Sequence, residues 1–226
     1  MRRLAIQTSR SFSSFKHQVL LAATLVYLLS ATIPADAGLL MDIAPNSAAP
    51  GTSGTLEVTL TNTGTGNLDL IVVGGFSFEI TAAGTDVTFS DVTTATSLYT
   101  YIFPGSDSLS ESLFGPGSLV PMITNNGQTI SASDNFNGSA GKTLTPGETV
   151  SLGLVSYSIS SSAPIGVIPI TFTSADVSDS SGVDIPVVLS TSGNINVVPE
   201  PSSLISMLLG SVGIGIGVYR RRNLAV

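Results

Sequence analysis

The sequence contains no cysteine and no tryptophan, and its single histidine, His17, lies near the N-terminus. Without cysteine no disulfide can cross-link the chain, so a folded domain has to be held together by core burial alone. Beyond residue 37 the lack of histidine and cysteine excludes Ser-His-Asp and Cys-His catalytic arrangements, and also zinc sites with His or Cys ligands. Only carboxylates remain there for acid–base chemistry.

Positive charge is almost missing from the middle of the chain. Between Gly38 and Val198 the sole basic residue is Lys142, against thirteen acidic residues, so this span has a formal net charge of −12. Binding to phosphate groups needs clustered cations. We therefore expect no binding to nucleic acid or anionic lipid, whereas divalent cations are compatible with this charge.

The N-terminal region is typical of a secretory signal peptide. Residues 1–18 carry four basic residues and no acid, and residues 19–29 form an apolar stretch interrupted by a threonine and a tyrosine. Ala35 and Ala37 then supply small residues at the two positions that a signal peptidase requires, which predicts cleavage before Gly38. The alternative is an uncleaved membrane helix, for which eleven apolar residues are short.

The C-terminal region combines three features in order: Pro199-Glu200-Pro201, an apolar run at residues 204–219, and Arg220-Arg221-Arg222. As a helix the run would reach about 24 Å, against about 30 Å for a hydrocarbon core, which is marginal for a permanent anchor. Basic residues stay in the cytoplasm, so both termini are expected inside and the middle of the chain outside.

This layout resembles the PEP-CTERM sorting signal of Gram-negative bacteria. The resemblance implies an exported protein that is held in the inner membrane by its tail and processed near Pro199-Glu200-Pro201 by an exosortase. It also implies association with extracellular polysaccharide and biofilm matrix. The expected organisation is a signal peptide at residues 1–37, a domain at 38–197, and a sorting signal with a transmembrane helix at 198–226.

The middle of the chain has the composition of an all-β sandwich, because short apolar runs alternate with Gly, Ser and Thr. Residues 55–62 show the alternation of a half-buried strand, with Leu56 and Val58 on one face and Glu57 and Thr59 on the other. Further strands are predicted near residues 68–73, 76–80, 87–89, 99–103, 150–159, 166–173, 185–189 and 194–198. The total is about nine.

Two irregularities are also predicted from this pattern. The apolar parity changes within residues 150–159, which predicts a β-bulge near Leu154 and Val155 or two strands of different facing. Pro169 predicts an edge position for its strand, because proline cannot donate a hydrogen bond to a neighbour. Residues 104–121 are irregular, and a short helix or a loop is expected near residues 106–111.

Several of these segments resemble cohesin-like domains. They are residues 49–51, 56–62 and 73–80 near the start, and residues 155–159, 163–170 and 192–197 near the end. The resemblance implies a nine-stranded jelly-roll sandwich, of the kind that binds dockerin modules in cellulose-degrading assemblies. It does not extend over residues 93–140.

Two sets of side chains are candidate ligand sites. Tyr99 and Tyr101 share one parity and could form a small sugar-binding platform, with a core or edge-strand position as the alternative. Asp176 and Asp179, followed by Asp184, are candidate calcium ligands, although they lack the spacing of an EF-hand. The alternative is a set of solvated loop acids.

We predict a non-enzymatic protein that is structural or adhesive at the cell surface or in the extracellular matrix. Its expected partners are signal peptidase and exosortase during export, and then extracellular polysaccharide or surface proteins. Two alternatives stay open. One is a carbohydrate-binding module, and the other is a glycoside hydrolase that uses a carboxylate pair such as Asp176 and Asp179.

Overall fold

The computed structural model describes residues 38–66, 68–191 and 193–200. The predicted features at Ala35, Ala37, Pro201 and Arg220-Arg221-Arg222 lie outside this part of the chain. Within it the strands are β1 (Leu39–Ile43), β2 (Asn46–Ala48), β3 (Ser53–Asn62), β4 (Ile71–Val73), β5 (Gly75–Ala82), β6 (Val87–Thr93), β7 (Met122–Thr124), β8 (Thr129–Asn135), β9 (Lys142–Leu144), β10 (Thr149–Ile159), β11 (Gly166–Ser178), β12 (Val187–Leu189) and β13 (Gly193–Val197). The one α-helix described is α1 (Leu109–Phe114).

The strands form two main sheets and one small pair. One sheet has five strands in the order β12-β1-β3-β10-β6, and the other has six in the order β2-β13-β11-β5-β8-β7. Most neighbours are antiparallel, whereas β1 pairs with β12 and β13 pairs with β2 in parallel. The expected all-β sandwich is confirmed.

The core lies between the two sheets and follows the period of two along each strand. In β5 the inward side chains Phe76, Phe78 and Ile80 are almost fully buried, while Ser77 and Glu79 face outward and are half-buried. The six-stranded sheet therefore has an apolar inner face and a polar outer face, as expected of a half-buried antiparallel sheet.

The number of strands is larger than predicted. Eight described strands have five or more residues and five have only three. The prediction of about nine missed three of the short strands, β2, β7 and β9, and two longer ones, β1 and β8. The predicted strand at residues 99–103 is wrong. Tyr101, Ile102 and Phe103 are buried in succession, and only an isolated bridge joins Tyr101 to Ser151. A continuous segment that turns into the core lacks the alternation of a strand.

The predicted bulge exists in a single strand, β10, two residues before the expected place. Its pairing with β3 shifts register between Ser151 and Gly153, so Leu152 is the extra residue. Leu152 is nevertheless fully buried. The bulge therefore turns consecutive residues toward the core, which explains the change of apolar parity in the sequence.

The edge position predicted from Pro169 is wrong, because β11 lies between β13 and β5. Pro169 pairs with Asn194 of β13, but pairing with β5 begins only at Ile170. The carbonyl of Pro169 accepts a hydrogen bond from Ala83, just beyond the end of β5. Proline is tolerated at this position because Pro169 lies outside the paired part of β11 and β5, where no N–H group is needed.

The connection between β6 and β7 contains the helical structure that was predicted near residues 106–111. A 3-10 turn at Gly105–Asp107 leads into α1, whose N-cap residue Ser108 accepts a hydrogen bond from the backbone N–H of Glu111. With six residues, α1 is the longest helix in the described ranges, and no helix there could cross a membrane.

Candidate functional site

The last strand ends immediately before the predicted processing motif. β13 ends at Val197, and the N–H of Val198 still donates a 2.9 Å hydrogen bond to the carbonyl of Ala48. Pro199 and Glu200 follow and are exposed. Pro199-Glu200-Pro201 therefore begins at the residue that follows this hydrogen bond.

The outer surface of strands β11, β5, β8 and β7 contains two adjoining grooves. Two grooves of about 320 and 370 Å³ share the side chains of Ser77 and Ser133. We call this surface the hydroxyl face. Its lining includes Ser77, Glu79, Ser131, Ser133, Asn135, Ser174, Asp176 and Asp184.

Register aligns polar side chains into rows across the hydroxyl face. Thr124, Thr129, Thr81 and Thr171 are successive partners on the four strands. The hydroxyl oxygens of Thr81 and Thr129 lie 3.0 Å apart. Hydroxyl groups can both donate and accept, so this surface offers hydrogen bonds to either kind of ligand group.

One border of the hydroxyl face is apolar. Val120 and Met122 line the groove and are 55% and 59% exposed. Apolar side chains beside a polar groove are the composition of a protein or ligand contact surface.

A buried carboxylate fixes α1 to the end of β8. Asp134 is 2% exposed and lies on the same inward parity as Ile130 and Ala132. Its carboxylate accepts hydrogen bonds from the hydroxyls of Tyr101 and Ser108 and from the backbone N–H groups of Ser110 and Asn135. Four donors compensate for the loss of solvent around this charge.

The predicted platform of Tyr99 and Tyr101 is not formed. Tyr99 is 42% exposed, but Tyr101 is 5% exposed and packs edge-on against Phe76 and Phe103. Burial, and then the charge of Asp134, raise the pKa of the Tyr101 hydroxyl far above its usual range. The alternative of a core position is the correct one for Tyr101.

The three predicted calcium ligands are not grouped as a metal site. Among the described residues no set of three or more acidic, His or Cys side chains could hold a metal ion. Asp179 instead accepts hydrogen bonds from the N–H groups of Ser181 and Val183, which closes the turn after β11. Asp176 and Asp184 are exposed and border the hydroxyl face.

The second buried carboxylate is that of Glu57, although the alternation in the sequence predicted it on the solvent-exposed face of its strand. Glu57 is 3% exposed, although it alternates with the core residues of β3. Its carboxylate accepts hydrogen bonds from the Ser97 hydroxyl and from the N–H groups of Leu98 and Tyr99. The segment at residues 97–99 thus covers part of the outer surface of the five-stranded sheet.

A sequence signal existed for only one of the two buried carboxylates. Asp134 interrupts an apolar parity in β8, so its inward position could have been read from the alternation with Ile130 and Ala132. Glu57 gives no such signal, because the segment that covers it lies about forty residues further along the chain.

At the C-terminus, residues 197–222 match the family model of the PEP-CTERM protein-sorting motif. The chain carries a PEP-CTERM sorting motif. A motif of this kind marks an exported protein that is sorted to the cell surface through a membrane-anchored step. No curated protein sequence matches the chain significantly.

Solved cohesin structures are similar to the sandwich. A type I cohesin from Clostridium thermocellum, solved in a cohesin–dockerin complex, is 13% identical with a TM-score of 0.53, over 74% of this chain and 97% of that one. A Clostridium acetobutylicum cohesin is 19% identical with a TM-score of 0.51, over 72% and 92%. A scaffoldin cohesin from Acetivibrio cellulolyticus, bound to a dockerin, is 15% identical with a TM-score of 0.51, over 71% and 99%. At these identities the likeness concerns the fold.

Proposed function

We propose that this chain is an exported structural or adhesive protein of the cell surface or extracellular matrix of a Gram-negative bacterium. Its tail holds it briefly in the inner membrane, where an exosortase cleaves near Pro199-Glu200-Pro201. The observation that carries the proposal is the sorting motif at residues 197–222, which begins at the last residue of β13. Pro199 and Glu200 are exposed, so cleavage there requires no unfolding of the sandwich.

The predicted N-terminal cleavage is compatible with the fold in the same way. Gly38 would become the first residue, and its carbonyl accepts hydrogen bonds from the N–H and the hydroxyl of Thr63. β1 begins at the next residue. Removal of residues 1–37 by signal peptidase would therefore leave every described strand intact.

Processing is tested by comparing the surface form of the full chain in a host with an exosortase and in the same host without it. We expect a product that ends near Glu200 only in the first host, identified by mass spectrometry of its C-terminal peptide. Glu200→Ala should reduce this product, whereas the control Glu79→Ala should not. An identical C-terminus in both hosts would contradict the proposal.

The adhesive role is assigned to the hydroxyl face, with its apolar border at Val120 and Met122. Two observations support this assignment: the face has two adjoining grooves of about 320 and 370 Å³, and cohesins with a similar fold have been solved in complexes with dockerin proteins. The partner class that we propose is a protein module at the cell surface.

The docking role is tested by placing a large cation in the groove. Ser133→Arg and Ser77→Arg should lower the fraction of surface-retained protein, because both side chains line the two grooves. Thr88→Arg on β6 is the matched control, since it adds the same charge at an exposed position of the other sheet. Equal retention of all three variants would rule out the hydroxyl face as the contact surface.

Binding to extracellular polysaccharide is a second candidate for the same face. The specific observation in its favour is the lining of serine, asparagine and carboxylate groups, which can hydrogen-bond to sugar hydroxyls. A glycan array distinguishes the candidates. Sugar binding that is lost in Ser77→Arg and kept in Tyr99→Ala would favour the carbohydrate-binding module.

A further inference from the structure

The strand register places the sorting motif at one end of the sandwich, which we call the tail end. Val197 pairs with Gly166 of β11 and with Ala48 of β2. Backbone hydrogen bonds then connect the neighbouring turns at this end: Ala83 to Pro169, Ala82 to Gln128, Ser160 to Asp86 and Gly51 to Ile159. The tail end therefore consists of residues 49–52, 83–86, 125–128 and 160–167.

The mature N-terminus lies at the opposite end, which we call the far end. Gly38 accepts a hydrogen bond from Thr63, and Asn62 donates to Glu148. On the other sheet Gly74 donates to Ser178 and accepts from Phe136. The far end therefore consists of residues 63–66, 68–70, 105–107, 136–148 and 179–184.

Charge is distributed unequally between the two ends. The four segments of the tail end contain one acid, Asp86, and no lysine or arginine. The far end carries five acids, and its one lysine, Lys142, lies 3.6 Å from the carboxylate of Glu148. These five are Asp69, Asp107, Glu148, Asp179 and Asp184.

The tail end also has exposed aliphatic side chains beside the exit of the chain. Ile165 is 57% exposed and Val167 is 62% exposed, and Val167 pairs with Asn196, the residue before Val197. Val198 is hydrogen-bonded to Ala48, and only residues 199–203 separate it from the apolar run that begins at Leu204. Five extended residues span at most about 18 Å, so the tail end stays close to the membrane that the run enters.

We propose that the tail end rests against the surface of the bilayer into which its own tail inserts, with Ile165 and Val167 at the lipid interface. This inference rests on the proposed membrane-held intermediate. Aliphatic side chains gain free energy at such an interface. The far end also exposes Leu68 and Leu70, but its acids are disfavoured beside anionic headgroups, and the short connection to the apolar run places the tail end nearer the bilayer. The far end consequently faces away from the membrane. The hydroxyl face, whose strands run from one end to the other, is then not covered by the bilayer and stays accessible to a partner.

The absence of cysteine allows this orientation to be measured with single labels. The full chain is produced with either Ser161→Cys at the tail end or Ser181→Cys at the far end, in a Gram-negative host without an exosortase. Both serines are exposed. In right-side-out membrane vesicles, the reaction rate with a bulky polyethylene-glycol maleimide is divided by the rate with a small maleimide, which corrects for intrinsic reactivity.

We expect this ratio to be about threefold or more lower for Ser161→Cys than for Ser181→Cys, because the bilayer shields the tail end from the bulky reagent. Adding Ile165→Asp and Val167→Asp should raise the ratio at Ser161→Cys toward that of the far end. Val183→Asp is the matched control, since Val183 is equally exposed at the far end, and it should change nothing.

Two results would overturn the inference, and they are distinguishable. Equal ratios at the two sites, with the chain in the membrane fraction, would reject this orientation and leave the membrane-held intermediate standing. Failure of the chain to appear in the membrane fraction would reject the intermediate, and the orientation with it.

Discussion

The hydroxyl of Tyr101 donates a 2.8 Å hydrogen bond to the buried carboxylate of Asp134. This contact joins the irregular segment after β6 to the end of β8, two parts of the chain that the sequence pattern does not connect. The same carboxylate holds Ser108 and Ser110 at the start of α1. One acidic side chain therefore determines where the exposed residues of α1 lie.

Tyr101→Phe should lower the free energy of unfolding by about 1.5–3 kcal/mol, because it removes a hydrogen bond to a buried charge. Tyr157→Phe is the matched control. The hydroxyl of Tyr157 is buried without a protein partner, so its loss should leave stability unchanged or raise it. Urea unfolding measures both values. Equal destabilisation by the two variants would show that the hydrogen bond from Tyr101 to Asp134 does not stabilise the fold.

Glu57→Gln should release the segment at residues 97–99 from β3. The neutral amide weakens three hydrogen bonds and presents an N–H group to backbone donors, so we expect a loss of about 1–3 kcal/mol. Chymotrypsin should then cut faster at Leu98 and Tyr99. Glu79→Gln changes a half-buried carboxylate of β5 that contacts Thr173, and it should leave this cleavage rate unaltered. Cleavage that is equally slow in both variants would refute the role of Glu57.

Asp179→Ala should cost about 1 kcal/mol, because two backbone N–H groups lose their acceptor in the turn. Asp184→Ala, at an exposed position on the same turn, should cost less. The melting temperature of the unmodified protein should be the same with calcium and with a chelator. A calcium-dependent rise that both variants abolish would restore the metal site predicted from the sequence.

Glu148→Gln should flatten the loss of stability in acid. The hydrogen bond from the N–H of Thr145, and further contacts with its hydroxyl and with Lys142, lower the pKa of Glu148. A carboxylate whose pKa is lowered on folding stabilises the protein above its unfolded pKa, near pH 4, and this stability is lost as the pH falls through the folded pKa. Urea titrations between about pH 5 and pH 3 measure the slope. Asp176→Asn controls for the removal of one acidic charge, and an unchanged slope in Glu148→Gln would contradict the prediction.

The sequence predicted the fold class and the sorting motif because both depend on local patterns. Alternation in β3 and β5 needs only neighbouring residues, and the C-terminal motif is contiguous. The failures depend on distant contacts. Glu57 is buried by residues 97–99, and Tyr101 turns inward to meet Asp134.

The candidate site was the least predictable part for the same reason. The hydroxyl face gathers single serines and threonines from four strands, and no one strand shows a recognisable motif. Only the register of β5, β8 and β11 brings these side chains into rows. The position of Pro169 in a central strand was unpredictable for a similar reason, since proline fits there only because the pairing with β5 ends at the next residue.

β13 is hydrogen-bonded on both sides, in parallel to β2 and antiparallel to β11. A carboxypeptidase acting on the released protein could remove Val197 only after its pairing with β2 and with β11 had been broken. Digestion should therefore halt at the first residues of the sorting motif, and the finished molecule should have a ragged end only a few residues long. The hydrogen bonding of β13 thus limits how many residues proteolysis can remove from the C-terminus.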